Sequence, residues 1–441
     1  MSTHPNFRVD VYQNEYLHEG AREVNAIVTV TSGGEATESP AQAAPATGSG
    51  VSAAEVIIVD CSGSMDYPRG KMVAAKQATA AAIDALREGV AFAVIAGTDQ
   101  ARLVYPKEGG LVAADTRTRA AAKFAVNNLK AGGGTAIGRW LKLANQLFAG
   151  YQNSIRHAIL LTDGRNEHER PADLAQTLTE CEGKFVCDCR GVGTDWEVDE
   201  LRKVATALLG TVDIVADPAG LAEDFRKMTD AAMSKAVADV VLRLWTPQGA
   251  AIKFVKQVAP EVADLTTRRV TTGAQSGDYP TGSWGTESRD YHVCVEVKAA
   301  GVGDVMLAGR VSLVLTGAGG QDEILGQGLV KAVWTDDMVL STRINAEVAH
   351  YTGQAELADV IQEGLEARKT GDLDTATAKL GRAVALATKS GNADTAELLA
   401  KVVDVDDPVT GTVRLKAKVS DVDTMTLDTR STKTSRVRKS S

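Results

Sequence analysis

The 441-residue sequence has no uncharged apolar run approaching the roughly 18–20 residues that span a bilayer, which argues against a transmembrane helix. Cysteine is scarce. Cys61, Cys181, Cys187, Cys189 and Cys294 are an odd number spread over a long chain, a pattern of free buried thiols rather than a disulfide framework. Cys187 and Cys189 alternate on an apolar stretch with no paired Cys-x-x-Cys knuckle, so core thiols are the plain reading and structural zinc the minor one. The opening MSTHPNFRVDVYQ lacks a basic leader and a following apolar segment, so the expected location is cytoplasmic. Basic charge is also in deficit. With 48 Lys and Arg against 57 Asp and Glu, the net charge of -9 favours solubility and argues against a global nucleic-acid role.

What is present reads as globular: 44% hydrophobic and 24% charged residues, and a length that suggests two to four folded units at about 100–200 residues each. Residues 1–31 hold two β-rich runs, too few to bury a sheet face alone. Residues 32–53 are rich in Ala, Pro, Gly and Ser and read as a flexible linker. From 54 to 235, apolar strands (VIIVD, AFAVIAG, HAILLTD, FVCDCRGVG, VDIVAD) alternate with amphipathic helices, and RLVYP reads as a short antiparallel edge strand. Such alternation demands βαβ crossovers, hence a doubly wound, mainly parallel sheet with helices on both faces. Residues 236–340 are all β, and the N-terminal strands are expected to join them, so that the α/β domain is inserted into a β-sandwich. A small helical segment follows at 341–404, broken at Gly371 and Gly391. The tail 405–441 is expected to be disordered, since from 409 onward it has eight Lys/Arg, twelve Ser/Thr and little apolar periodicity.

Three segments carry chemistry. Asp60-Cys61-Ser62-Gly63-Ser64 follows directly from VIIVD, which sets a carboxylate and two hydroxyls at the C-terminal end of a parallel strand, the edge where open α/β sheets bind ligands. Alone, this segment could be a helix cap and no more. Gly132-Gly133-Gly134-Thr135 precedes a helix and offers a third hydroxyl, although Thr135 alone is most simply an N-cap. Thr162-Asp163-Gly164 ends HAILLTD and delivers a second carboxylate, which alone would be a turn residue. Together these are hard oxygen ligands with no nearby His or Cys set, a chemistry that suits Mg²⁺, with Mn²⁺ or Ca²⁺ as substitutes, over Zn²⁺.

The order Asp-x-Ser-x-Ser, Thr after a Gly run, then Thr-Asp-Gly is similar to the metal-ion-dependent adhesion site of von Willebrand factor A (VWA) domains, over about 180 residues and with none of the five positions departing from the motif. That resemblance implies a VWA, Rossmann-like fold. It further implies that Ser62, Ser64 and Thr135 coordinate the ion directly while Asp60 and Asp163 act largely through water. Neutral hydroxyls leave a dication under-compensated, so the expected ligand is an Asp or Glu of a protein partner.

A hydrolase needs a nucleophile beside a base, or a metal-activated water with a proton acceptor, and neither is legible; metal-dependent hydrolysis ranks below a non-enzymatic interaction module. His157 reads as a strand-start residue and His168 as a solvated loop residue. The alternative function lies in the tail, where Thr424, Thr426 and Thr429 are candidate acceptors for a Ser/Thr kinase, to be read by a phosphopeptide-binding protein; an unmodified solubilising tail is the plainer reading.

Overall fold

The computed structural model describes residues 5–33, 52–67, 70–152, 154–215, 217–317, 321–434 and 436. Residues 34–51 of the expected linker and 437–441 of the expected tail lie outside the described residues. The chain forms two compact units, one of Met1–Pro40, Val240–Thr281 and Thr286–Ser441, the other of Ala41–Asp239 and Gly282–Gly285.

The first unit begins with β1 (Phe7–Gln13), β2 (Tyr16–Leu17) and β3 (Glu23–Ser32). The chain then enters the second unit through β4 (Ala53–Asp60), α1 (Lys71–Ala85), β5 (Ala91–Gly97), β6 (Ala101–Tyr105), β7 (Val112–Ala113), α2 (Thr116–Asn127) and α3 (Ile137–Phe148). It continues with β8 (Ile155–Thr162), α4 (Pro171–Cys181), β9 (Val186–Val192), α5 (Val198–Ala207), β10 (Val212–Val215) and α6 (Leu221–Met233). The sheet order is β10-β9-β8-β4-β5-β6, with β7 also on β5. Strands β10, β9, β8, β4 and β5 run parallel, and β6 and β7 are antiparallel to β5.

Every residue of β4 is buried, as a strand covered on both faces requires. Ile57 and Val59 join Ala78, Ala82 and Phe225 of the flanking helices in one core, while Val56 and Ile58, equally inaccessible, point to the other face. Because the strands are parallel, Asp60, Gly97, Thr162 and Val192 all arrive at one edge of the sheet.

The first unit resumes with β11 (Val237–Trp245), β12 (Ala251–Ala259), β13 (Ala263–Asp264), β14 (Val270–Thr271), β15 (Ser276–Trp284), β16 (Ser288–Glu296), β17 (Val305–Leu315) and β18 (Glu323–Trp334). These strands and the N-terminal ones build two sheets, ordered β1-β3-β16-β12-β13 and β14-β15-β11-β17-β18-β2. Strand β3 sits between β1 and β16, so the N-terminal strands complete the β-sandwich into which the α/β domain is inserted. Helices α7 (Met338–Ser341), α8 (Ala346–Thr370), α9 (Leu373–Ser390) and α10 (Ala393–Val402) follow. Gly371 and Gly391, at φ 85° and 67°, close α8 and α9 in the left-handed conformation that only glycine adopts at little cost.

The expectation of disorder over 405–441 needs correction. Strands β19 (Val403–Asp407) and β20 (Thr412–Leu415) form a hairpin, and α11 (Asp421–Arg430) follows. Val413 and Leu427 enter a core with Leu357, Ile361, Leu380 and Leu399. A few apolar residues spaced along a polar segment suffice when helices already offer a surface to cover. Thr424, Thr426 and Thr429 therefore lie on a helix, their hydroxyls donating to the carbonyls of Ser420, Val422 and Met425, and Thr429 is buried. Leu427→Ala should lower the stability of this unit by about 2–5 kcal/mol, the usual cost of emptying a fully buried leucine site, as read by urea denaturation. An unchanged midpoint would show that the tail does not contribute to the fold.

Candidate functional site

The carboxyl edge gathers the three segments. Asp60, fully buried, accepts the Ser62 N–H on Oδ1 at 2.7 Å and the Thr162 hydroxyl on Oδ2 at 2.6 Å, joining the ends of β4 and β8. Burial pushes the Asp60 carboxyl up to about 6, against the pull of those bonds. The Ser62 and Ser64 hydroxyls are 2.9 Å apart, and Ser64 donates to Asp163 Oδ1 at 2.6 Å. The glycine loop is stitched to the first segment by backbone bonds from Gly63 N–H to the Gly133 carbonyl (3.0 Å) and from Gly132 N–H to the Cys61 carbonyl (2.8 Å). Gly164 measures the convergence: a Cβ there would lie 3.2 Å from Ser64 Oγ, 3.4 Å from Thr135 Oγ1 and 4.0 Å from Ser62 Oγ. Ser62, Ser64 and Thr135 thus converge on one point, with Asp163 bonded to the Ser64 hydroxyl and Asp60 to the Ser62 amide.

Thr135 is not the N-cap of α3. That position belongs to Ala136, which has no side-chain cap bond. The loop after Asp163 satisfies the helix's free amides instead: the Asn166 side chain accepts from Ile137 N–H at 2.8 Å, and Glu169 accepts from Gly138 N–H at 2.7 Å. His168 Nδ1 accepts from Thr135 N–H at 3.1 Å, so His168, expected to be merely solvated, braces the third hydroxyl residue. Lys71, also missed in the sequence, donates to Asp163 Oδ2 at 2.7 Å and to Asp195 Oδ2 at 3.2 Å. Burial opposes its charge, but Asp163 and then Asp195 outweigh it and hold the Lys71 pKa above the ordinary lysine value. A lysine at the start of a helix carries no signal of such a role in the sequence.

The fold and this edge define a class: a doubly wound α/β domain that presents clustered hydroxyl and carboxylate oxygens at the ends of its parallel strands. The profile of the von Willebrand factor type A domain matches residues 54–214, and that of the von Willebrand factor type A C-terminal domain matches 385–431. A solved von Willebrand factor type A protein of Catenulispora acidiphila is 56% identical, with a TM-score of 0.92 over 98% of each chain. The chain belongs to the von Willebrand factor type A family. An ArnB paralog of Sulfolobus acidocaldarius shares the fold at 13% identity, with a TM-score of 0.60 over 97% of this chain and 98% of that one. An uncharacterized Synechocystis protein is 33% identical over 217 residues, 48% of this chain and 50% of its own, so the chain spans about half the length of that curated relative. VWA domains are typically non-enzymatic protein-interaction modules, and many hold a metal ion at their adhesion site. Among the described residues no helix is long and apolar enough to cross a membrane.

The five cysteines are free and buried, and among the described residues no cluster of three or more His, Cys, Asp or Glu is arranged to hold a metal ion. His157 does more than begin a strand. Its Nδ1 lies 2.9 Å from both Glu55 carboxyl oxygens and its Nε2 lies 3.0 Å from Asp188 Oδ2, so both ring nitrogens face carboxyl groups and an imidazolium donates to both. Burial disfavours the imidazolium, yet Glu55 and Asp188 push the His157 pKa up to about 10. Burial likewise opposes the Asp188 charge, but His157 and then Arg190 hold that carboxyl well below the usual range.

A histidine titrating near 10 when folded and near 6.5 when unfolded contributes stability that is full below about pH 6.5 and is lost as pH rises through about 10. His157→Gln should therefore be about 3–5 kcal/mol less stable than wild type at pH 6, the usual cost of breaking a buried ion pair, with the gap closing toward pH 10 in urea titrations. A gap independent of pH would show that His157 is not charged in the folded protein.

Proposed function

We propose that the carboxyl edge is a complete metal-ion-dependent adhesion site: Ser62, Ser64 and Thr135, with Asp60 and Asp163 behind them, hold Mg²⁺, and the protein grips an Asp or Glu of a protein partner through it without catalysing a reaction. The observation that carries this reading is the convergence of three hydroxyls on the Gly164 Cβ position, backed by two buried carboxylates.

The donor set fits the ion. Octahedral Mg²⁺ ligands at about 2.0–2.1 Å stand about 2.9 Å from their neighbours. Ser62 Oγ and Ser64 Oγ are 2.9 Å apart, a separation that also makes a hydroxyl–hydroxyl hydrogen bond in the protein alone. Mn²⁺ or Ca²⁺ can substitute for Mg²⁺ among these hard oxygens. When bound, the ion supplies a Lewis-acidic position that takes an anionic oxygen. The protein's share is to fix the hydroxyls: Asp60 by anchoring Ser62 N–H, Asp163 by accepting from Ser64, and His168 by holding the backbone of Thr135. Nothing in α11 supports the kinase reading, since the three threonine hydroxyls already bond to the backbone of their own helix.

Titration calorimetry of Mg²⁺ and Mn²⁺ into chelator-treated protein should give saturable binding to wild type and none to Asp60→Ala or Asp163→Ala, with circular dichroism confirming that the variants fold. Equal heats in all three proteins would sink the reading.

A further inference from the structure

Lys71 puts a cation into the wall of the same edge. Its side chain is only 5% exposed and passes over Gly193, whose Cβ position is 3.6 Å from Lys71 Cε. Nζ donates to Asp163 Oδ2 at 2.7 Å, while the Ser64 hydroxyl occupies Asp163 Oδ1 at 2.6 Å. One carboxylate therefore joins the hydroxyl cluster to an ammonium. The second partner, Asp195, has a side chain 69% exposed and screened by solvent, which leaves Asp163 as the dominant counter-charge.

We propose that Lys71 sets the charge balance of the adhesion site, weakening divalent-ion binding by the protein alone and leaving the loaded site with a surplus positive charge that a carboxylate ligand neutralises. This rests on the reading of the edge as a metal site. Asp60 and Asp163 bring two negative charges and Lys71 returns one positive charge, so a dication raises the site to a net charge of about +1; without Lys71 the same ion would leave it neutral. A unit charge about 5 Å from a dication lowers the ion's affinity by about tenfold even at the dielectric of bulk water, about 80, and by more at a partly buried edge. Because a carboxylate relieves that repulsion, ion and acidic partner each strengthen the binding of the other, as linkage requires. An ion bound weakly alone and firmly with its ligand makes the grip conditional on the partner.

The test is a Mn²⁺ titration of the full chain at pH 7.5, with and without sodium acetate as the carboxylate probe. Wild type should bind Mn²⁺ weakly and more tightly with acetate. Lys71→Gln keeps a donor toward Asp163 and loses the charge; it should bind Mn²⁺ at least about tenfold more tightly and lose most of the acetate effect. A purely structural role would not produce that opposed pair of changes. Lys71→Arg, which keeps the charge, should leave Mn²⁺ binding and the acetate effect close to those of wild type. A folded Lys71→Gln that binds Mn²⁺ no more tightly than wild type, or that keeps the full acetate effect, overturns the proposal. If that variant does not fold, a Lys71→Arg protein that binds Mn²⁺ about tenfold more tightly than wild type, or that loses the acetate effect, overturns it. Uptake of Mn²⁺ by Asp60→Ala equal to that of wild type would mean that the metal reading has failed, and the role of Lys71 falls with it.

Discussion

The Asp60 carboxylate is the constraint on which this edge depends. It is fully buried, and it joins two strands whose residues lie about a hundred positions apart by accepting from Ser62 N–H and from the Thr162 hydroxyl. A buried carboxylate without donors costs several kcal/mol, so the loop carrying Ser62 and Ser64 has little freedom to leave it. The backbone bonds from Gly63 to Gly133 and from Gly132 to Cys61 extend the same restraint to the glycine loop. Three chain segments are thereby held in one arrangement.

The domain handles its buried charges in two ways. Asp60 is surrounded by neutral donors, whereas Asp163 meets an ammonium and the Glu55, His157 and Asp188 groups share an imidazolium. The first way leaves the carboxylate without a counter-charge, and the second consumes the charge internally. Asp163 belongs to both, because its two oxygens face a hydroxyl and a lysine. The histidine cluster lies toward the amino ends of β4, β8 and β9, away from the carboxyl edge, and cross-links three neighbouring strands through their side chains.

The α/β domain was legible because strands buried on both faces leave continuous apolar runs such as VIIVD and HAILLTD, and because parallel strands must end at one edge. That topology is what allowed Asp60, Ser62, Ser64, Thr135 and Asp163 to be brought together on paper. Lys71, Asn166, His168, Glu169 and Asp195 were not legible. They act across the fold on a backbone amide or a carboxylate of another segment, and no periodicity links residue 137 to 166 or residue 71 to 163. The average composition of the tail hides its local order. The alternation Val403-Asp404-Val405 before a Pro-Val-Thr-Gly turn was a hairpin signal, and Ser420, which accepts from Asp423 N–H, was a capping signal. Val413 and Leu427 carry its apolar burial.

The pairing of β3 with β16 has a consequence for the protein's birth. Thr31 bonds beside Ser288, so on the ribosome β3 emerges long before one of its neighbours exists. At about 5–20 residues per second the wait is on the order of tens of seconds, during which the whole α/β domain can be made and folded. Through that interval β1 and β3 form a two-stranded ribbon with an uncovered edge, marginal on its own and open to pairing with another chain. The polar side chains that β1 carries, Arg8, Asp10 and Gln13, guard the ribbon's other edge, while the edge of β3 stays open until β16 is made.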